Sequence, residues 1–370
     1  MRIAHVSDCY APRTGGIETQ VRALACAQRA RGDDVRVITA TPGHEAVRAG
    51  LDHVDAIPVH RIAANLPFEL PIHPRTRAEV VKLLTAYPVD VVHVHAGVIS
   101  PFAWGAIRAA RQLGIPTLVT VHSVWGPLAR PGFKIANALA RWNNIAVSSV
   151  STSAAASVAS ALGRDDVLVT PNGIDVTAWA VPEVRQVPGE IRIVSVMRLA
   201  PRKRLGALLA MLTKVKAQLA GECDVRATII GDGPELARAL SFIARNNLGE
   251  NVVMAGRLSP DEIRAVFAHA DLYVQPSIKE SFGLAALEAR TAGLPVVVQA
   301  ASGSTEFVTT DLTGIVADGD PEMIAAIVAL ARDPKARARL AAHNRSTPPA
   351  QSWDQALTAV DRGYAAAAAT

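Results

Sequence analysis

A chain of 370 residues, half of them apolar, is too long for one ordinary core and suits two domains of roughly 150–180 residues each. The net charge of +5 comes with no block of five like charges, and aromatic residues make up only 4%, which excludes a nucleic-acid footprint and an aromatic stacking platform. Three scattered cysteines (Cys9, Cys26, Cys223) without any C-x-x-C fit reduced thiols and exclude a disulfide framework or a zinc signature.

Short β-rich runs alternate with helical patterns from the first residue. Met1 leads straight into a strand and no run of about 18 apolar residues occurs, so the sequence points to the cytoplasm. Strands are predicted at Ile3–Ser7, Val35–Thr39, Val59–Ile62, Val89–His95, Thr117–His122, Ala146–Ser151 and Val167–Thr170. Helices lie between most of them, at Gly16–Arg31, Arg75–Ala86, Phe102–Gln112, Lys134–Arg141 and Ser153–Leu162, while prolines make Asn65–Pro74 a loop. The periodicity stops over Val176–Gly189 and then resumes. Strands at Ile191–Val196, Val225–Ile230, Val252–Met254, Asp271–Gln275 and Val296–Gln299 alternate with helices at Lys203–Leu219, Pro234–Asn246, Pro260–His269 and Phe282–Ala292. Helices from Pro321 and Pro334 follow, each with proline at N1 and aspartate before it, and Trp353–Tyr364 forms a last amphipathic helix. The pattern predicts an α/β protein of two Rossmann-like, doubly wound domains facing across a cleft. The domains are expected at 1–175 and 191–346, with a linker at 176–190 and a final helical segment at 347–370.

Several strand ends carry chemistry. Gly15-Gly16 opens the first helix and lets backbone approach an anion, although the string is not G-x-G-x-x-G and a flexible turn explains it equally. Arg198 and Lys203, in Met197-Arg-Leu-Ala-Pro-Arg-Lys-Arg-Leu205, put a guanidinium and an ammonium where a diphosphate is wanted; cations at a helix start are otherwise disfavoured. Gly231-Asp-Gly-Pro-Glu235 is explained as a tight strand-to-helix turn lining the cleft. His122 ends a strand, and the simplest reading is a histidine bonded to backbone. His93 and His95 face one side of a strand but show no third metal ligand. Asp318-Gly-Asp320 resembles a metal-binding string, yet Asp320 before Pro321 reads as an N-cap, so no metal site is assigned.

The stretch Gln275-Pro-Ser-Ile-Lys-Glu-Ser-Phe-Gly-Leu-Ala-Ala-Leu-Glu288 ends a buried strand and starts a helix. Ser281, Phe282 and Gly283 supply backbone N–H groups there. Glu280 and Glu288 would repel a pyrophosphate, so they suit the hydroxyls of a sugar and a ribose; a capping and a surface glutamate is the plainer alternative. The segment Trp125–Trp142 mixes Arg130, Phe133, Lys134, Leu139 and Arg141, which offers either an interfacial face for anionic lipid or an ordinary helix covering the sheet.

In order and spacing, these motifs resemble the retaining glycosyltransferases of family 4, with the GT-B fold. The resemblance rests on Gly15-Gly16, Val119-Thr-Val-His122, Asn172-Gly-Ile-Asp175, Arg198 with Lys203, Gly231-Asp-Gly-Pro-Glu235 and the E-x7-E pair Glu280 and Glu288. It departs at Met197, where a glycine is common, and at Ser302-Gly-Ser-Thr-Glu306, where paired glycines are common. The resemblance implies a nucleotide-diphosphate sugar, GDP-mannose or a UDP-hexose, held mainly by the second domain. Arg198 and Lys203 would hold the diphosphate, Glu288 the ribose and Glu280 the sugar hydroxyls. Phe282, Gly283 and Leu284 would present backbone, Gly231 would line the donor site, and Gly15, Gly16 and His122 would complete it. It further implies a crossover helix at Trp353–Tyr364, no metal or other cofactor, and a glycan, glycolipid or small-molecule acceptor, with contact at the inner face of a membrane in view. A GT-B epimerase, an inverting transferase and a non-catalytic nucleotide-sugar sensor are the competing readings. A periplasmic binding protein is a weaker one, for want of a signal peptide.

Overall fold

The computed structural model describes residues 1–13, 15–43, 48–64, 72–124, 142, 145–182 and 187–370. The chain divides into two compact units: Met1–Gly173 with Gln351–Thr370, and Ile174–Ala350.

The first unit is built on an eight-stranded sheet. Its strands are β1 (Arg2–Ser7), β2 (Asp34–Thr39), β3 (Gly50–Val54), β4 (Ile57–Arg61), β5 (Val91–Ala96), β6 (Thr117–Val121), β7 (Ala146–Ser149) and β8 (Leu168–Val169). They lie in the order β3-β4-β2-β1-β5-β6-β7-β8, all parallel except the β3–β4 hairpin. The chain works outwards from β1 to one edge and then returns to β5 on its other side. The switch point therefore falls between β1 and β5, where such sheets bind ligands at their carboxyl ends.

Both faces of this sheet are covered, which is why its strands read as apolar runs. On one face Ala4, Val6, Val92, Val94 and Val119 pack on Phe102, Ala106 and Ile107 of the helix Pro101–Gln112 and on Val80 and Leu84 of the helix Thr76–Ala86. On the other, Ile3, Val37, Val91 and Leu118 pack on Val21, Leu24 and Ala25 of the helix Gly16–Ala30 and on Val360, Tyr364 and Ala367 of the helix Trp353–Ala368. Burying Val360 and Tyr364 contributes about 1.5–3 kcal/mol each. Ser352 caps this last helix by accepting from the Gln355 N–H. Arg31 grips Asp361 through two bonds of 2.7 and 2.8 Å. Gly363 lets the helix approach β6, since a Cβ there would lie 2.8 Å from Leu118.

The second unit holds a six-stranded sheet of β9 (Glu190–Val196), β10 (Asp224–Ile230), β11 (Val252–Gly256), β12 (Leu272–Gln275), β13 (Val296–Gln299) and β14 (Gly314–Ala317). The order is β11-β10-β9-β12-β13-β14 with every pair parallel, so the switch point lies between β9 and β12. Helices Leu205–Gln218 and Asp320–Arg332 bury Leu208, Leu212, Met323 and Ile327 in its core.

Some expectations change. The edge strand β3 and the short β14 escaped the sequence reading, and the supposed linker begins with a helical turn, Val176–Trp179, capped by Asp175. The helix after β12 starts at Leu284, two residues later than read, because Gly283 adopts a left-handed φ of 89° as its N-cap. Asp320 is not an N-cap. Gly319, at φ 91°, takes that position, and Asp320 is the first helical residue with its carboxylate held by Arg204. The helix read at 134–141 and the lipid-facing segment at 125–142, Trp142 apart, lie outside the described residues, as does 65–71 of the proline-rich loop. No described helix is long and apolar enough to cross a membrane.

Candidate active site

Because β9 and β12 are neighbours, the loops that leave them meet at the carboxyl end of the second sheet. The first carries four cations in seven residues, Arg198, Arg202, Lys203 and Arg204, and the second carries Glu280. Their repulsion is relieved in pairs. Lys203 donates from Nζ to Glu280 Oε2, joining two residues that the sequence assigned separate roles. Arg204, at a left-handed φ of 60°, donates to Asp320 at 2.9 and 2.8 Å and to the Pro276 carbonyl at 2.9 Å, clamping both loops. The Arg198 guanidinium is exposed and has no partner among the described residues.

Glycines hold these loops in place. A Cβ on Gly231, at φ 133°, would sit 1.8 Å from the Met197 carbonyl oxygen; that close approach lets the Met197 N–H bond Ile230 at 2.9 Å. Gly231 therefore sets the course of the Arg198 loop, and Met197 is a core residue beneath it. Gly303 packs so tightly on the Ser281 carbonyl that a Cβ would lie 2.2 Å from its oxygen, and its N–H bonds the Glu280 carbonyl at 2.8 Å. The departing string Ser302–Glu306 thus keeps a glycine where the backbone contact needs one. Phe282 is buried against Phe307, which anchors the turn by its side chain, and its carbonyl accepts from the Ser304 hydroxyl at 3.2 Å.

Glu288 lies on the following helix, one turn on from Leu284. Its carboxyl is half-buried, no described residue donates to it, and burial pushes its pKa up to about 8. Burial first, then the nearby charges of Glu288 and Glu280, raises the Tyr273 phenol, so both carboxylates flank the end of β12. An unpartnered, partly desolvated carboxyl suits a ligand that brings hydroxyl donors.

In the first unit, Gly15 is the N-cap of the helix Gly16–Ala30, and a Cβ there would meet only the flexible end of Glu18. A Cβ on Gly16 would meet nothing within 4 Å, and its φ is not left-handed. The fold does not require glycine at position 16. Asp8, at the end of β1, is buried and accepts from the Phe102 and Ala103 N–H groups at 3.1 and 3.3 Å, capping the helix Pro101–Gln112. Burial pushes its carboxyl to about 6 despite those bonds.

His122 follows β6 directly, with its N–H on the Ala96 carbonyl at 2.9 Å. Its ring reaches back, Nε2 lying 3.0 Å from Nδ1 of His95. The third ligand that His93 and His95 lacked in sequence is His5: it pairs with His93 across the β1–β5 register, and ring nitrogens of the three lie within 4.8 Å of one another. A histidine amid the buried residues of β1 was the available signal. The geometry nevertheless is not a metal cage. Both nitrogens of each ring already have partners, among them Gln28, Tyr364 and Thr120. Burial lowers His5 and His122 to about 4 and holds His93 and His95 well below the ordinary value, so all four are neutral at pH 7. A cavity of about 20 Å³ beside them, lined also by Gln20, Asn172, Gly173 and Trp353, has room for a water and not for a sugar. Gly173 is explained by packing, since a Cβ would strike the Trp353 ring at 2.5 Å.

The family described as Glycosyltransferase Family 4 matches residues 14–178, and that described as Glycosyl transferases group 1 matches residues 181–347. The chain is 27% identical to the phosphatidylinositol N-acetylglucosaminyltransferase gpi3 subunit of Schizosaccharomyces pombe, over 83% of this chain and 68% of that protein. It is 26% identical to a GDP-mannose-dependent alpha-mannosyltransferase of Mycolicibacterium smegmatis, over 86% and 85%. Its fold is similar to that of Anabaena HepE, solved in complex with UDP, at a TM-score of 0.76 and 20% identity with both chains fully covered.

Proposed function

The chain belongs to glycosyltransferase family 4 and has the GT-B fold; from that premise we propose that it is a retaining hexosyltransferase using a nucleotide-diphosphate sugar without a metal. The observation that carries the reading is the pairing of Lys203 with Glu280, in a unit that also holds an exposed, unpartnered Arg198 and an unpartnered Glu288. In the free protein Lys203 and Glu280 neutralise each other. An incoming diphosphate competes for the Lys203 ammonium, and the carboxylate released from it accepts from sugar hydroxyls. Arg198 and Lys203 then stabilise the charge that grows on the leaving diphosphate as the bond from sugar C1 to phosphate oxygen breaks, an effect that dominates many such reactions. The acceptor hydroxyl attacks from the same face, and its proton passes to the departing phosphate oxygen. Glu288, once ionised, takes the ribose hydroxyls, and Phe282, Gly283 and Leu284 offer backbone beside the phosphates. Gly16 leaves room for the donor, and His122 meets the sugar.

Metal independence is supported by the use made of Asp318-Gly-Asp320: Asp320 is occupied by Arg204 and by Gln299 at 3.2 Å. The donor is GDP-mannose or a UDP-hexose, in line with the names of the relatives above, and the acceptor is a hydroxyl of a glycan, glycolipid or small molecule. A thermal-shift screen of UDP- and GDP-sugars identifies the donor, and NMR of the product's anomeric centre reads the stereochemistry. Lys203→Ala and Glu280→Ala are each expected to lower turnover by roughly two to three orders of magnitude. Wild-type rates in both variants, or an inverted product, contradict the proposal.

A further inference from the structure

A chain of hydrogen bonds runs through the first unit from His122 to Gln28. His122 Nε2 lies 3.0 Å from His95 Nδ1, His95 Nε2 lies 2.9 Å from His5 Nδ1, and His5 Nε2 lies 2.6 Å from the Gln28 side-chain oxygen. The Gln28 amide donates to the Tyr364 hydroxyl at 2.9 Å, and that hydroxyl lies 3.0 Å from His93 Nδ1. His95, His5 and Gln28 are buried, so leaving one of their polar atoms without a partner is costly.

A neutral imidazole has one donor nitrogen and one acceptor nitrogen. Where both are engaged, the tautomer of one ring dictates that of the next. The Gln28 oxygen can only accept, so His5 carries its proton on Nε2 and accepts at Nδ1. His95 must then donate from Nε2, and its Nδ1 accepts from His122 Nε2. This leaves a bare lone pair on His122 Nδ1, which has no partner among the described residues. The second arm agrees: Tyr364 accepts from the Gln28 amide and donates to His93 Nδ1, and His93 donates from Nε2 to Thr120 Oγ1 at 2.7 Å. Turning the Gln28 amide over reverses every bond and puts an N–H on His122 Nδ1. Any mixed arrangement leaves two donors or two lone pairs facing each other.

We propose that Gln28, His5 and His95 are positioning residues that fix His122 as the Nε2–H tautomer, so that its Nδ1 accepts from a hydroxyl of the bound sugar and disfavours a carboxylate or phosphate oxygen there. The ligand half of this rests on the reading of His122 as a residue that meets the sugar.

The test is spectroscopic. In the full, unliganded chain labelled with 15N-histidine, long-range 1H–15N correlations distinguish Nδ1–H from Nε2–H in each ring. His5, His95 and His122 are expected as Nε2–H. Gln28→Met removes the anchor and is expected to give mixed tautomers at His122, with kcat reduced roughly tenfold, the scale of one lost neutral hydrogen bond. An Nδ1–H signature on His122 in the parent chain overturns the proposal whatever the rates. So does an unchanged His122 signature in folded Gln28→Met. Full turnover of GDP-mannose or UDP-glucose by His122→Ala instead removes the contact with sugar, and the tautomer result then stands or falls by the spectra alone.

Discussion

Glu288→Gln separates what the site costs the fold from what it does for a ligand. Burial holds the Glu288 carboxyl at about 8 in place of an ordinary 4.5, and no described residue donates to it. The folded chain therefore keeps a proton that the unfolded chain releases, so stability is full below about 4.5 and falls as pH rises towards 8. By pH 8 the loss is about 4 kcal/mol for a fully enclosed group, and partial access to solvent halves it to about 2 kcal/mol. Glutamine has the same shape and no charge. The variant and parent are expected to match within about 1 kcal/mol at pH 5, and the variant to be more stable by about 2 kcal/mol at pH 8. Under the proposed function the same change removes a charge-assisted bond to a ribose hydroxyl, about 1.5–3 kcal/mol, and weakens donor binding roughly tenfold to a hundredfold. Urea unfolding from pH 5 to 8.5, with thermal-shift titrations of GDP-mannose and UDP-glucose, measures both. A parent–variant difference that stays constant across that range refutes the argument.

Gly16→Ala is expected to leave stability within about 0.5 kcal/mol, because its Cβ meets nothing, yet to impair donor turnover. Gly231→Ala should lose at least about 1–3 kcal/mol from backbone strain alone, and comparing the two melting temperatures checks the contrast. Arg204→Ala frees Asp320 and the Pro276 carbonyl, and a loss of about 1–3 kcal/mol in chemical denaturation is expected. Transfer assayed with and without EDTA should proceed at one rate; a dependence on added divalent cation sinks the metal-free mechanism.

The doubly wound halves were legible because strands covered on both faces must be apolar, as in Val296–Gln299, and because helices between them keep the 3.6 period. β3 was not: an antiparallel edge hairpin buries little of Gly50–Val54, so it shows no alternation. Glu280 and Glu288 stood out through spacing within one strand–turn–helix. The partners that define their chemistry did not, since Lys203 is 77 residues away and Arg204 reaches Asp320 across 116. The partnership of His5 with His93 was hidden for the same reason. Only the β1–β5 register brings it to His93, and no local pattern records which strands will be neighbours.

The helix Trp353–Ala368 has a consequence for the order in which the units are completed. The second unit is one continuous stretch, Ile174–Ala350, whereas the first is finished only by Gln351–Thr370. During synthesis the later stretch can therefore close its core before the earlier one. Until residue 364 emerges, the face carrying Ile3, Val91 and Leu118 lacks part of its cover, and the Gln28 amide lacks the phenol that orients it. Translation speed through the second unit thus sets how long the nascent first unit stays incomplete, a window in which its uncovered apolar face is open to chaperones and to aggregation.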